Sequence, residues 1–334
     1  MSDTADLQSI NVLLGDFIVN LMNRDDVTDI WINADGLVWY RSHDEGDVRS
    51  DTMLSPEKSL AIIRYFAGCD DKIVTRENPE VGLDIPLYDA RFQGMIPPIV
   101  DKPAFLIRKR AIRIYPLEDY VANGTLSQNH YDFIRKAIEN RKNILVVGGT
   151  GTGKTTFLNA VLRAAAEISP NHRFVILQDV KELQCDAINT LYMYTKQDDG
   201  KAAIRFDMTK LLAIAMRCNP DRIVVGEVRN GAAFTMLKSW NTGHPGGACT
   251  VHADDAERGL TRIKSLAQED PDAAGDLKEL IGEAVNVVIV IRHIELPDGR
   301  RSRRINEIIE VNGYDAVTDK YLINHIPREK EKKV

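Results

Sequence analysis

Asn143-Ile144-Leu145-Val146-Val147-Gly148-Gly149-Thr150-Gly151-Thr152-Gly153-Lys154-Thr155 falls into two parts with different physics. The first five residues are an apolar, β-branched run that reads as a buried strand. Gly148 to Thr155 match G-x-x-x-x-G-K-[ST], a phosphate-binding loop. Thr156-Phe157-Leu158-Asn159-Ala160-Val161-Leu162 then has helical character. Strand, loop and helix in that order are the context the motif requires. Gly148, Gly149, Gly151 and Gly153, with Thr150 and Thr152 between them, let backbone N–H groups turn inward around phosphate oxygens. The helix N-terminus, at Lys154, Thr155 and Thr156, adds positive potential. Lys154 is expected to reach the β- and γ-phosphates of a nucleotide, and Thr155 to ligand Mg²⁺.

The rest of the composition narrows the class. A chain of 334 residues has room for two or three domains. With 44% hydrophobic and 28% charged residues it can bury a real core. A net charge of −6 lacks the basic footprint of a nucleic-acid binder. No apolar run reaches the length of a membrane span, and the N-terminus has no basic region followed by an apolar core, so a cytoplasmic protein is expected. Cys69, Cys185, Cys218 and Cys249 form no C-x-x-C pair and read as reduced structural thiols.

Outward from the loop, the N-terminal third reads as an α+β domain, residues 1–114. Leu7 to Leu21 repeat at three and four, an amphipathic helix, and Val27–Asn33 with Leu37–Tyr40 form a hairpin around Asn33-Ala34-Asp35-Gly36. Ser55-Pro56-Glu57 opens a second helix. Short strands are expected over Leu83–Leu87, Ala90–Ile96 and Ala104–Arg108. Residues 115–128 read as a linker, and residues 129–334 as the second domain. There, strands at 174–177, 222–226 and 248–251 alternate with helices at 208–216, 232–240 and 257–267, which argues for a mainly parallel sheet covered on both faces. The tail changes character. Val285–Arg292 and Ile305–Val311 alternate as strands around Pro297-Asp298-Gly299, and Tyr321-Leu322-Ile323 is expected to pair across Asn312-Gly313. Arg328 to Lys333 form a solvated charge run.

Three clusters carry chemistry beyond the loop. Ile223-Val224-Val225-Gly226-Glu227 is an apolar strand ending in a carboxylate. Glycine stands where many NTPases have aspartate, so Glu227 is the candidate for polarising an attacking water. After the strand at 174–177, the one next in sequence to the phosphate-loop helix, Gln178-Asp179-Val180-Lys181-Glu182 offers carboxylates at Asp179 and Glu182 that can complete a metal shell through water. Thr242-Gly243-His244 and Thr250-Val251-His252 flank Cys249. Imidazole and thiolate raise a zinc reading, but the spacing matches no standard site, and the histidines read better as hydrogen-bonding partners near a γ-phosphate.

These boxes, in this order, resemble the secretion-type traffic ATPases of type IV secretion, type II secretion and type IV pili. Arg91 to Pro98, Phe105 to Lys109 and Trp240 to His244 resemble most closely the TrbB-like conjugative-transfer branch. The resemblance runs from about Val27 to Tyr321. It implies an N-terminal α+β domain followed by a RecA-like P-loop NTPase domain, assembled as a homohexameric ring, with ATP and Mg²⁺ bound between the two domains. It further implies that Lys154, Thr155, Glu227, Asp179 and Glu182 serve ATP hydrolysis and that His244 and His252 form a histidine box. Arg91 or Arg108 is then the arginine that meets the γ-phosphate, because a guanidinium fork neutralises charge on a transferring phosphoryl group. The implied partners are channel proteins at the inner face of the inner membrane, with a pilus motor as the runner-up machine. A nucleic-acid motor is opposed by the acidic balance, and a small-molecule kinase would need an acceptor other than water. One departure stands out: where the family usually has Glu-Asp, this chain has Gln178-Asp179, and glutamine cannot act as a base.

Overall fold

The computed structural model describes residues 10–42, 45–85, 88, 90–109, 114–196, 206–273, 275–295 and 301–328. The chain divides into two compact units, Met1–Arg113 and Ile114–Val334.

In the first unit residues 10–14 are helical, and Gly15, at φ 82°, separates them from helix α1 (Asp16–Asn23). Strands β1 (Val27–Ile32) and β2 (Leu37–Ser42) form the expected antiparallel hairpin. Strand β3 (Gly46–Met53) adds to the expected set. It is a polar edge strand with no buried face, so its sequence carries no period-two signal. Helix α2 (Pro56–Cys69) starts where the Ser55 hydroxyl accepts from the Lys58 amide, with Pro56 in the first position, where a missing N–H is harmless. Strands β4 (Glu80–Ile85), β5 (Ala90–Met95) and β6 (Ala104–Lys109) complete an antiparallel sheet of order β3-β2-β1-β6-β5-β4. Three phenylalanine rings meet within its mainly aliphatic core: the Phe66 ring lies 4.7 Å from Phe92, which lies 5.4 Å from Phe105.

The second unit is built on strands β7 (Ile144–Val147), β8 (Phe174–Gln178), β9 (Thr190–Tyr194), β10 (Arg222–Val225), β11 (Ala248–Val251), β12 (Val287–Glu295), β13 (Arg301–Asp315) and β14 (Lys320–His325), in the order β14-β13-β12-β7-β11-β10-β8-β9. From β12 to β9 all neighbours run parallel; β13 and β14 are antiparallel. Helices α3 (Leu117–Ala122), α4 (Gln128–Glu139) and α5 (Lys154–Ile168) cover one face. Helices α6 (Met208–Ala215), α7 (Ala232–Asn241), α8 (Ala256–Ala267) and α9 (Leu277–Ala284) cover the other. Along β7, Ile144 and Val146 enter the first core while Leu145 and Val147 enter the second. This is why the strand is apolar at every position and shows no alternation.

Two expectations are corrected. Residues 115–128 are not a tether: α3 lies there, Leu117 and Leu126 are 1% exposed, and Tyr120 sets its ring edge-on to Phe157 of α5 at 5.2 Å. Pro116 and Asn123-Gly124 punctuate a short packed helix instead of marking a boundary. Asn312-Gly313 is not a turn either. Strand β13 runs through it with a register shift between Val311 and Tyr314, the signature of a bulge. The cause is α9: a Cβ on Gly282 would fall 2.8 Å from the Gly313 carbonyl carbon, so helix and strand meet backbone to backbone. The turn itself falls at residues 316–319. The tip at Pro297-Asp298-Gly299 and all of the charged tail after Arg328 lie outside the described residues.

The sheet edge away from the phosphate-binding loop is closed by one buried cation. Arg222, 2% exposed, donates to the carbonyls of Ile138 (3.0 Å) and Gly246 (3.2 Å) and to the Ser169 hydroxyl (3.4 Å). It joins the ends of α4 and α5 to the approach to β11. Burial pulls its pKa down to about 10, which leaves it cationic at neutral pH. Gly246, at φ 85°, is glycine because a Cβ there would meet the Arg222 guanidinium at 2.6 Å. Replacing the cation by alanine strands buried carbonyls. Arg222→Ala is therefore expected to destabilise the second unit by about 3 kcal/mol in urea unfolding; a loss under about 1 kcal/mol would mean these bonds are exchanged freely for water.

Candidate active site

The phosphate-binding loop leaves the C-terminal end of β7. Gly148 must be glycine, since a Cβ would lie 2.4 Å from the Ile291 carbonyl oxygen of β12. Gly151 (φ 73°) and Gly153 (φ 93°) take the left-handed turns that aim successive amides inward. Thr152 closes the loop by donating to the Gly149 carbonyl (2.9 Å). Lys154 begins α5 and is 7% exposed; its ammonium donates to the carbonyls of Gly148 and Gly149, each at 3.0 Å. Thr155 and Thr156 follow in the first turn. Burial pulls the Lys154 ammonium below its ordinary value, and the Glu227 carboxylate works against that pull.

Glu227 and His252 come to the loop because β10 and β11 end at the same edge as β7. The Gly226 amide donates to the Leu177 carbonyl (2.8 Å), and the Thr250 hydroxyl to the Gly226 carbonyl (2.7 Å), which pins the strand end that carries Glu227. One Glu227 oxygen meets the Arg229 guanidinium at 2.6 Å and the other His252 Nε2 at 3.2 Å. His252 Nδ1 lies 3.2 Å from the Lys154 ammonium. The two contacts specify the tautomer: Nδ1 accepts from Lys154 and Nε2–H donates to Glu227. Burial, then the Lys154 charge, hold the imidazole below its ordinary pKa, so it is neutral at pH 7. Lys154, His252, Glu227 and Arg229 thus form one continuous line of polar contacts.

The acidic loop after β8 lies beside this line. Thr155, Gln178, Asp179, Glu182, Gly226, Glu227 and Arg229 line one pocket. A threonine hydroxyl and carboxylates are hard oxygen donors, so the set fits Mg²⁺. Asp179 Oδ1 also accepts from the Thr195 hydroxyl (2.9 Å). Gln178, 2% exposed, is the clamp of the loop: its Oε1 accepts from the amides of Glu182 (2.9 Å) and Leu183 (2.8 Å). Gly226 makes room for it, because a Cβ there would crowd the Gln178 Cβ at 3.2 Å. From the other side Asn159 of α5 donates to the Glu182 carbonyl (3.0 Å) and accepts from the Gln184 amide (2.9 Å).

One expected residue of the second unit lies elsewhere. His244 does not join His252. It precedes β11, at the opposite edge of the sheet, where its Nδ1 meets the Ser239 carbonyl (3.3 Å); the extended length of β11 separates the two histidines. Cys249, between them, is fully buried and burial pushes its thiol up, so the three do not converge on an ion. Arg91 and Arg108 belong to the first unit, at register-paired positions of β5 and β6, with Arg108 bonded to Asp29 (2.8 Å). The sequence reading did not single out Asn159 or Arg229. Asn159 left a signal, a lone amide inside the apolar run of α5. Arg229 left none, because its role comes from a fold-back onto Glu227.

The fold and the loop define a RecA-like P-loop protein with an appended antiparallel α+β unit. Residues 77–317 match the family described as type II/IV secretion system protein, and the chain belongs to that family. It is 38% identical to the conjugal transfer protein TrbB of Rhizobium radiobacter, over 90% of this chain and 88% of that one. It is 30% identical to the type IV secretion system protein PtlH of Bordetella pertussis, over 85% and 89% of the two chains. Solved structures share the fold, two of them as follows. One is the pilus retraction motor PilT with bound ADP (TM-score 0.62, 18% identity, 92% of this chain and 84% of that one). The other is the ATPase DotB of Legionella pneumophila (TM-score 0.61, 16% identity, 86% and 79%).

The Gln178 clamp has its own test. Gln178→Ala removes the acceptor for two amides, so peptides spanning residues 179–184 are expected to exchange hydrogen about tenfold faster or more than in the wild type. Unchanged protection would show that Asn159 alone holds the loop.

Proposed function

We propose that this chain hydrolyses ATP with Mg²⁺ and that a ring of six copies uses the energy to power conjugative transfer or type IV secretion. The convergence of Lys154, Thr155, Glu227, Asp179 and Glu182 beside one helix N-terminus carries this reading. The machine is supported by the names of the relatives, which are a conjugal transfer protein and a type IV secretion system protein. The ring, its docking to channel proteins and its place at the inner face of the inner membrane follow from the family resemblance. Among the described residues no helix is long and apolar enough to cross a membrane.

In this reading Glu227 orients the water that attacks the γ-phosphate in line, and His252 steadies the carboxylate through its Nε2–H. Lys154 exchanges its bonds to the Gly148 and Gly149 carbonyls for phosphate oxygens. Thr155 and Asp179 would hold Mg²⁺, which when bound would supply positive charge to the phosphate oxygens. Charge on the transferring group also calls for a guanidinium. Arg229 is the second unit's candidate, and Arg91 and Arg108 are the first unit's.

Lys154→Ala is expected to abolish ATP turnover, measured as phosphate release, while the chain keeps its circular dichroism spectrum. Wild-type-like turnover would sink the site assignment. Glu227→Gln should still bind ATP in equilibrium titration yet turn it over about a hundredfold more slowly or worse. Turnover close to wild type would take the water-orienting role away from Glu227.

A further inference from the structure

The catalytic groups all lie to one side of β7. Glu227, His252 and Asp179 follow β10, β11 and β8, and Thr155 faces their pocket. A triphosphate with its γ end there must run its α-phosphate and nucleoside toward the other neighbour of β7, which is β12. That side is not bare. Strand β12 pairs with β7 only as far as Val290↔Val147, and residues 291–295 run on past the sheet edge with β13 alongside. Arg303, opposite His293 in this overhang, shares its strand face with Ile305, which packs in the same core as Phe157 of α5. Its side chain reaches the phosphate-binding loop: a Cβ on Gly153 would lie 3.4 Å from Arg303 Cδ and 3.6 Å from Nε. A guanidinium beside the N-terminus of α5 is within reach of an anion bound by the loop amides.

We propose that Arg303 is a nucleotide-binding residue that engages the α-phosphate and the nucleoside beyond it, so that the β12–β13 hairpin forms the nucleoside side of the ATP site. The proposal rests on the ATPase reading and deepens it. It makes the hairpin part of the binding site, not an appendage to the domain. It also explains why β12 overruns its partner: a strand ending level with β7 could not carry a side chain over Gly153.

The test uses the full chain with Mg²⁺, comparing ATP, ADP and inorganic pyrophosphate as ligands. Pyrophosphate fills the centre of the loop at Lys154 but has no nucleoside. Arg303→Ala is expected to weaken ATP and ADP about tenfold or more and to raise the KM for ATP by a similar factor, with a much smaller fall in kcat and pyrophosphate affinity unchanged. Arg303→Lys should recover part of the loss, and an unchanged melting temperature in both variants separates the effect from misfolding. Two results would overturn the proposal: wild-type ATP affinity in Arg303→Ala, or an equal loss for pyrophosphate, which would place the charge on the β- and γ-phosphates. If the wild type hydrolyses ATP while either result is obtained, only the role of Arg303 falls. If the wild type does not bind ATP, both readings fall.

Discussion

The structure depends on the double pairing of β7. Parallel ladders bind it to β11 from Ala248↔Ile144 to Val251↔Val147, and to β12 from Val287↔Ile144 to Val290↔Val147. Because side chains alternate, a slip of one residue would exchange the two cores and turn every apolar side chain of β7 to the wrong helix layer. The same register sets where the strand stops, and so where Gly148 begins its turn against the Ile291 carbonyl. The phosphate-binding loop is thus held by backbone pairing on both flanks before any of its own bonds are considered.

Around that fixed edge, polar side chains do the positioning, most of them buried and His252 exposed. Thr250 ties the end of β10 to β11, Gln178 and Asn159 grip the acidic loop from two sides, and His252 joins Lys154 to Glu227. Each of these residues is paired through at least one polar atom with backbone or with another functional group. In a low-dielectric setting, a polar group that is paired in one arrangement resists moving to any other. The opposite edge is closed by Arg222 in the same way, with a guanidinium spanning several chain ends.

Gln178 and Gly226 are best understood as a pair. Glycine at the end of β10 leaves space above the neighbouring strand, and the Gln178 side chain fills it to reach two amides. A neutral amide accepts those bonds without adding a second negative charge beside Asp179 and Glu182. Gln178 therefore has a structural role in this chain, and in the proposed reaction the water-orienting function is left to Glu227.

Much of this was legible in the sequence. The apolar run before Gly148, the loop spacing, the Ser55-Pro56 helix start and the alternation of strands and helices are local patterns, and local patterns follow from sterics and periodicity. Helix α9 is legible too, through Asp276 as its cap and Leu277, Ile281 and Ala284 on one face. The polar edge strand β3 had no such signal, and Asn312-Gly313 looked like a turn until α9 was packed against it. The packing of α3 against Phe157, the parting of His244 from His252 and the approach of Arg303 to the site join residues far apart in the chain or reverse a local cue. By itself the sequence determined the class of fold and the strand–glycine loop–helix unit around Lys154, because those need only neighbours in the chain. Which side chains surround the clamp was decided by tertiary structure, because strand order and strand length place them there.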